Sequence, residues 1–245
     1  TTGLVASANP SGTSSVDLSG RQVGGFEYGR VASTSGGTTV KLEYPTESSY
    51  DSAHSQLVFV PEYSSLTVPS GVDLVPDDWD GATGGIVAFM VDGSLTVDGT
   101  IDATGAGFRG GASSSGPFDR GCTRLDEPAP DGEEKGEGLI ATLWGATGYG
   151  DAANGGGGGI CLDSGGGGGG NGGQGGRGGY THRLDNSRDV GGRGGATLEY
   201  SLLGRITFGG GGGGGHDDDG EGTDGQDGGG AILVRANSLS GSGAI

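Results

Sequence analysis

GGGGGGGHDDDGEGTDGQDGGGAILVR occupies residues 209–235 and places seven consecutive glycines before an acidic cluster, three more glycines and an aliphatic run. Glycine tracts of this length either remain a flexible tether or pack as extended strands. The chain holds 63 glycines in 245 residues, several times the ordinary share of about 7%. No strict Gly-X-Y period runs through the tracts and only 8 prolines are present, which excludes collagen.

The apolar residues argue against a tether. Hydrophobic content is only 31% and the net charge is −18, a balance that ordinarily indicates disorder. However, the apolar residues are gathered into short β-branched and aromatic runs, which include Leu57–Val60, Ile86–Val91 and Ala231–Val234. Runs bounded by turn residues are typical of buried strands. The sequence therefore predicts an all-β protein.

Between residues 147 and 230 the glycine tracts alternate with aliphatic or aromatic plugs at 160–164, 180–186 and 196–208. A random coil is one interpretation. The other is a packed layer of polyglycine II strands, which have no internal hydrogen bonds and rise about 3.1 Å per residue. We favour the layer because the tracts contain little serine, and dense hydrogen bonding between strands can offset the entropy lost by ordered glycine.

An internal repeat joins the two long apolar runs. Sliding the chain by 144 residues places 84–101 on 228–245 without a gap, with Ser94, Leu95 and Ile101 recurring at the same positions. This pattern predicts two equivalent rungs of a β-solenoid-like body. An open rung exposes backbone groups, so we expect a neighbouring subunit to continue it or the protein to self-associate into a filament.

Two domains are predicted. Residues 1–75 form an N-terminal β domain or the cap of a larger β structure, built as a meander of short strands with a turn at Gly36–Gly37. Residues 76–245 form the glycine-rich solenoid and polyglycine domain, with an inserted loop at 112–138. Long loops of this kind often carry function.

Two ordered motifs carry a family resemblance. LVFVPEYSSLTVPSGVDLVPDDWDGATGGIVAFMVDGSLTVDGTIDATGAGFRGG (57–111) and GGATLEYSLLGRITFGGGGGGG (194–215), followed by GGGAILVRANSL (228–239), resemble exported glycine-rich proteins of myxobacteria and other environmental bacteria. Some of those are labelled adventurous gliding motility proteins. The resemblance covers roughly residues 22–245 and implies an extracellular or surface-associated β architecture without catalytic residues. By composition the chain is also similar to tailed-phage adhesins, in which a polyglycine sandwich displays recognition loops.

The acidic cluster supplies the candidate metal ligands. Asp217, Asp219 and Glu221 stand at alternate positions, as oxygen ligands do in calcium loops, and Asp224 and Asp227 would add further carboxylates. A complete EF-hand loop opened at Asp217 would need glutamate at position 228, which is glycine. A Ca²⁺ site and a solvated acidic loop both remain open. We expect His216 to be a surface residue, since carboxylate-rich sites favour Ca²⁺ over metals that seek imidazole.

Two further sets of residues are candidates. Cys122 and Cys161 form a disulfide if the protein is exported, and two separately buried thiols are the alternative. A recognition surface is predicted near residues 180–190, where the candidates are Tyr180, His182, Arg183 and Arg188.

The charge and the motifs exclude several function classes. A net charge of −18 without a basic stripe disfavours binding to nucleic acid or anionic lipid. No apolar run approaches the roughly 20 residues of a membrane span. No nucleophile elbow or phosphate loop with its lysine occurs, and Asp77, Asp78 and Asp80 are expected to form turns around Trp79. We therefore expect a non-catalytic structural or adhesive surface protein, with a polysaccharide-acting enzyme or a flexible tether as alternatives.

Overall fold

The computed structural model describes residues 15–18, 23–113, 132–140, 147–161, 163–180, 191–216 and 222–245. Within these ranges the chain forms ten strands and no helix, so the all-β prediction is confirmed. The strands are β1 (Ser15–Asp17), β2 (Val31–Ser35), β3 (Thr39–Leu42), β4 (Glu62–Tyr63), β5 (Leu66–Val68), β6 (Asp73–Leu74), β7 (Ile86–Val97), β8 (Thr100–Ile101), β9 (Thr197–Glu199) and β10 (Ala231–Ser240).

The long strand β7 organises the largest sheet. It pairs in parallel with β10 on one side and with β4 and β5 on the other. Alternate residues of β7 point into a core that also contains Val68 and Ile101, as the apolar run predicts. Burying each such side chain contributes about 1.5–3 kcal/mol. No sheet in the described ranges closes on itself, so the solenoid body stays a prediction.

The internal repeat predicts the pairing of β7 with β10, except for a shift of one residue before a bulge. Beyond a bulge between Ala236 and Ser238, Ser238 lies opposite Ser94 and Leu239 opposite Leu95, the predicted offset of 144. Before the bulge, Ala231 lies opposite Ile86, so the ungapped alignment is wrong by one residue there. The bulge absorbs the extra residue of β7 and keeps both halves in register.

The meander predicted for residues 1–75 is only partly correct. The turn at Gly36–Gly37 is confirmed, since both glycines have positive φ and join the antiparallel strands β2 and β3. The strands β4, β5 and β6 instead pair in parallel with β7 and β8. This pairing places Val68 in the core cluster of β7, which a local meander would not bury. The boundary near residue 75 stays a prediction, although this sheet has strands on both sides of it.

The glycine tracts are ordered by hydrogen bonds between segments. In the central segment, residues 209–216, successive N–H groups donate in rotation to three neighbouring segments, with a repeat of three residues. The donor–acceptor pairs, at 2.8–3.0 Å, are Gly209–Gly229, Gly210–Gly170, Gly211–Glu137, Gly212–Gln226, Gly213–Gly167, Gly214–Glu134, Gly215–Thr223 and His216–Ser164. Acceptor numbers fall as donor numbers rise, so these three neighbours are antiparallel to the central segment. A three-residue repeat is that of a polyproline II-type helix.

Two more neighbours run parallel to the central segment and donate to its carbonyls. Phe108 and Gly111 donate to Gly209 and Gly212, and Gly156 and Gly159 donate to Gly211 and Gly214. We call the whole arrangement of hydrogen-bonded glycine-rich segments the glycine lattice. Its hydrogen bonds, unlike those of a β-sheet, extend in several directions around each segment.

The close approach of neighbouring backbones explains why positions in the central segment are glycine. An added Cβ at Gly210 would lie 1.7 Å from the carbonyl oxygen of Asn154, and one at Gly211 would lie 1.9 Å from that of Arg109. Real Cβ atoms do not approach backbone oxygens so closely. A side chain is therefore excluded at these two positions.

An aromatic cluster joins the glycine lattice to the large sheet. The rings of Trp79, Phe108 and Phe208 pack edge to face with centroids 5.3–6.3 Å apart. Phe208 lies just before the central segment and also lies against Gly85, at the start of β7. Such ring pairs contribute about 0.5–1.5 kcal/mol each beyond the area they bury.

Candidate functional site

Four carboxylates hold the surface segment 109–113 against the glycine lattice. The backbone N–H of Arg109 donates to Glu137 Oε2 at 3.2 Å and that of Ala112 to Glu134 Oε2 at 3.1 Å. The N–H of Gly110 donates to Asp227 Oδ1 at 2.6 Å and that of Ser113 to Asp224 Oδ1 at 2.7 Å. We call Glu134, Glu137, Asp224 and Asp227 the carboxylate clamp.

The three-residue repeat explains this arrangement. In segment 108–113 the N–H groups of Phe108 and Gly111 point inward to carbonyls of the central segment. The remaining N–H groups point alternately to the two flanking segments, where a carboxylate accepts each one. The clamp thus supplies acceptors for these N–H groups at the edge of the glycine lattice, where no backbone carbonyl accepts them.

Glu137 accepts the most hydrogen bonds of the four. Besides the Arg109 N–H, it accepts from Arg109 Nε at 2.9 Å and from the indole of Trp79 at 3.1 Å. Its carboxylate raises the pKa of the Arg109 guanidinium. Glu137 therefore couples the aromatic cluster, segment 109–113 and the central segment, whose Gly211 N–H donates to its carbonyl.

The candidate calcium ligands divide between described and undescribed residues. Asp224 and Asp227 belong to the clamp, and hydrogen bonds from the Ser113 N–H and hydroxyl lower the pKa of Asp224. Asp217, Asp219 and Glu221 lie outside the described residues. In the part of the chain that the structure describes, no group of three or more His, Cys, Asp or Glu side chains could hold a metal ion. The Ca²⁺ site stays a prediction.

The candidate recognition surface is represented by one residue. Tyr180 is half-exposed and stacks against Arg177, whose guanidinium carbon lies 5.1 Å from the ring centroid. His182, Arg183 and Arg188 lie outside the described residues. The contact between residues 177 and 180 follows a local Gly-Gly-X period at 169–180, in which X is Asn171, Gln174, Arg177 and Tyr180. This local three-residue period, which runs through residues 169–180, is the sequence signal for an edge segment.

The prediction for His216 is wrong. The residue is only 4% exposed, and its N–H donates to the carbonyl of Ser164 at the end of the central segment. The three-residue hydrogen-bond repeat extends through position 216 and draws this histidine into the interior.

Cys161 is buried and is not a free thiol. Cys122 lies outside the described residues, so the disulfide between them stays a prediction.

Of the aspartates around Trp79, Asp80 forms the predicted turn, and the same role for Asp77 and Asp78 stays a prediction. Asp80 Oδ1 accepts the N–H groups of Ala82 and Thr83 at 2.8 and 2.7 Å, which lowers the pKa of Asp80. Hydrogen bonds also lower the pKa of Glu27, Asp51, Asp102 and Asp224. These groups act as acceptors that hold the backbone.

Comparisons with known proteins supply no relative. No protein-family model, no curated protein and no solved structure matches the chain. Among the described residues, no helix has the length and apolar character needed to cross a membrane.

Proposed function

We propose that this protein is a non-catalytic structural or adhesive module of a bacterial surface appendage, filament or adhesin, located outside the cell. Its body is solenoid-like, with packed polyglycine II strands. The sequence resemblance to exported glycine-rich surface proteins supports the location. The exposed edge of β10 is the observation that carries the proposal.

Leucines from three strands lie side by side at one register position of the large sheet. Leu66 lies opposite Leu95, and Leu95 lies opposite Leu239. Leu95 is fully buried between its neighbours, whereas Leu239 is 61% exposed. In the described ranges β10 pairs only with β7, so its second edge presents free backbone groups over ten residues. A long open edge with apolar side chains is suited to receive another strand.

The glycine lattice supports the adhesive form of the proposal. Its segments are held by hydrogen bonds in several directions, which favours a stiff platform over a tether. The segments 114–131 and 181–190 both connect parts of this platform. A stiff platform limits the entropy lost when such connecting segments bind a receptor.

Assembly through β10 can be tested by a single substitution that introduces a charge. Leu239→Lys places a lysine on the open edge, where it opposes strand addition. Leu203→Lys, at a residue that is 95% exposed elsewhere, is the matched control. We expect filaments or oligomers of the wild type and of Leu203→Lys in negative-stain microscopy, and monomers of Leu239→Lys. A wild-type monomer that binds cells or glycans would support an adhesin, and a monomer that binds neither would contradict the proposal.

A further inference from the structure

The central segment has neighbours on five sides and a groove on the sixth. The five are the segments that contain Gly229, Gly170, Glu137, Phe108 and Gly156. A groove of about 640 Å³ lies between residues 166–173 and 225–229, with the central segment as its floor. Its walls are almost entirely backbone.

The groove leaves donors and acceptors at a three-residue spacing. In segment 164–171, Gly165 and Gly168 donate to Gly179 and Gly176, while Gly167 and Gly170 donate to Gly157 and Asn154. The third direction belongs to Gly166 and Gly169, whose N–H groups make no hydrogen bond within the described residues.

The central segment shows the matching gap among its acceptors. The carbonyls of Gly209 and Gly212 receive N–H groups from one parallel neighbour, and those of Gly211 and Gly214 from the other. The remaining carbonyls, of Gly210 and Gly213, receive no N–H hydrogen bond within the described residues. Hydrogen-bond directions rotate along each segment with the three-residue repeat. The N–H groups of Gly166 and Gly169 and the carbonyls of Gly210 and Gly213 therefore point toward the same groove.

We propose that this groove binds an extended glycine-rich strand of a separate polypeptide. The strand would accept hydrogen bonds from the N–H groups of Gly166 and Gly169 and donate to the carbonyls of Gly210 and Gly213. It would run parallel to the central segment, because both segments that donate to residues 209–214 do so. The segments that accept hydrogen bonds from residues 165–170 run antiparallel to segment 164–171, and the proposed strand would do the same.

The groove also specifies the composition of the strand. Positions facing the glycine lattice must be glycine, because an added Cβ at comparable interior sites would lie about 2 Å from a carbonyl oxygen, as at Gly166 and Gly213. One position in each turn faces solvent, as Gln174 and Arg177 do in edge segment 172–180. The chain has a net charge of −18, so a basic residue at that position is favoured and a second copy of this chain is disfavoured.

Gly212 provides a way to block the groove without disturbing the glycine lattice. An added Cβ there would lie 3.5 Å from the nearest atom, the N of Gln226, which is ordinary contact. Gly212 also lines the groove. Gly176 is a matched control, since a Cβ at that position meets nothing within 4 Å and lies outside the groove.

The test uses a synthetic peptide of repeated Gly-Gly-Arg and isothermal titration calorimetry at physiological ionic strength. We expect one binding site on the wild type, at least about tenfold weaker binding to Gly212→Val, and unchanged binding to Gly176→Val. An Ala-Ala-Arg peptide has the same charge and should bind at least about tenfold more weakly. In NMR spectra of the wild type, the amide resonances of Gly166 and Gly169 should shift when the Gly-Gly-Arg peptide is added.

Three results would overturn the proposal: no binding, equal binding of the alanine peptide, or binding that moves neither amide resonance. Sedimentation of the protein alone tests whether a second copy of this chain occupies the groove instead. Self-association that Gly212→Val abolishes would assign the groove to a second copy and overturn its assignment to a separate chain. If Leu239→Lys loses assembly and Gly212→Val does not, the result concerns the β10 proposal and not the groove.

Discussion

The carbonyl oxygen of Gly157 lies 2.0 Å from the position that a Cβ on Gly213 would occupy. One residue earlier, a Cβ on Gly212 would have no neighbour within 3.4 Å. Two adjacent glycines in one tract therefore have opposite requirements. The difference follows from the three-residue repeat, which points one residue in each turn toward the groove.

We expect Gly213→Ala to destabilise the protein by about 3 kcal/mol or more, because the backbone of segment 154–160 must move away. Gly212→Ala should change the free energy of unfolding by less than about 1 kcal/mol, because the added Cβ makes only ordinary contacts. Urea unfolding midpoints of the two variants test this expectation. Equal midpoints would contradict the close packing of the glycine lattice.

Glu137→Ala should lower stability by about 1–3 kcal/mol, because it leaves the Trp79 indole and the Arg109 N–H without their acceptor. Glu43→Ala removes an exposed carboxylate outside the clamp and serves as control. Thermal unfolding followed by near-ultraviolet circular dichroism reports the aromatic cluster directly. If both variants melt alike, Glu137 does not couple the cluster to the glycine lattice.

Acid should loosen the clamp at Asp224. Its pKa is below the ordinary value of 3.8 because the Ser113 N–H and hydroxyl donate to the charged carboxylate. A lowered folded-state pKa gives stability that is fully present above the unfolded pKa of about 3.9 and is lost as the pH falls through the folded value. Between about pH 5 and pH 2, the wild type should therefore lose more stability than Asp224→Asn. Asp92→Asn, at an exposed site on β7, should lose as much as the wild type.

Cys161 is expected to pair with Cys122, the second cysteine of the chain. Peptide mapping without reductant should recover the two cysteines in one cross-linked fragment. Reduction should lower the free energy of unfolding by about 2–4 kcal/mol, since the bridge restricts the unfolded chain. Two thiols titrating in the unfolded, unreduced protein would contradict the bridge.

The sequence was sufficient for features that local pattern encodes. Alternating burial along β7, the turn at Gly36–Gly37 and close packing around Gly210 all follow from the types of residue in each stretch. The partner of a strand is not encoded locally. The parallel pairing of β5 with β7 is an example, because the residues of β5 suit a meander equally well.

The carboxylate clamp shows a second limit of sequence analysis. The Gly110 N–H and Asp227 are 117 residues apart in the chain, and Ser113 and Asp224 are 111 apart. An acidic cluster suggests a cation by composition alone, whereas the acceptor role of these carboxylates depends on which segments are neighbours in the glycine lattice.

Hydrogen exchange should resolve the glycine lattice residue by residue. The amides of Gly210, Gly211, Gly213 and Gly214 donate to carbonyls on neighbouring segments and are buried, so they should exchange slowly. The amides of Gly166 and Gly169 face the groove and should exchange at least about 100-fold faster, although they lie in an equally ordered segment. Gly165 and Gly168 are the internal controls, because their N–H groups are bonded to Gly179 and Gly176. Uniformly fast exchange across 155–216 would restore the flexible tether, and uniformly slow exchange would mean that the groove is already filled in solution.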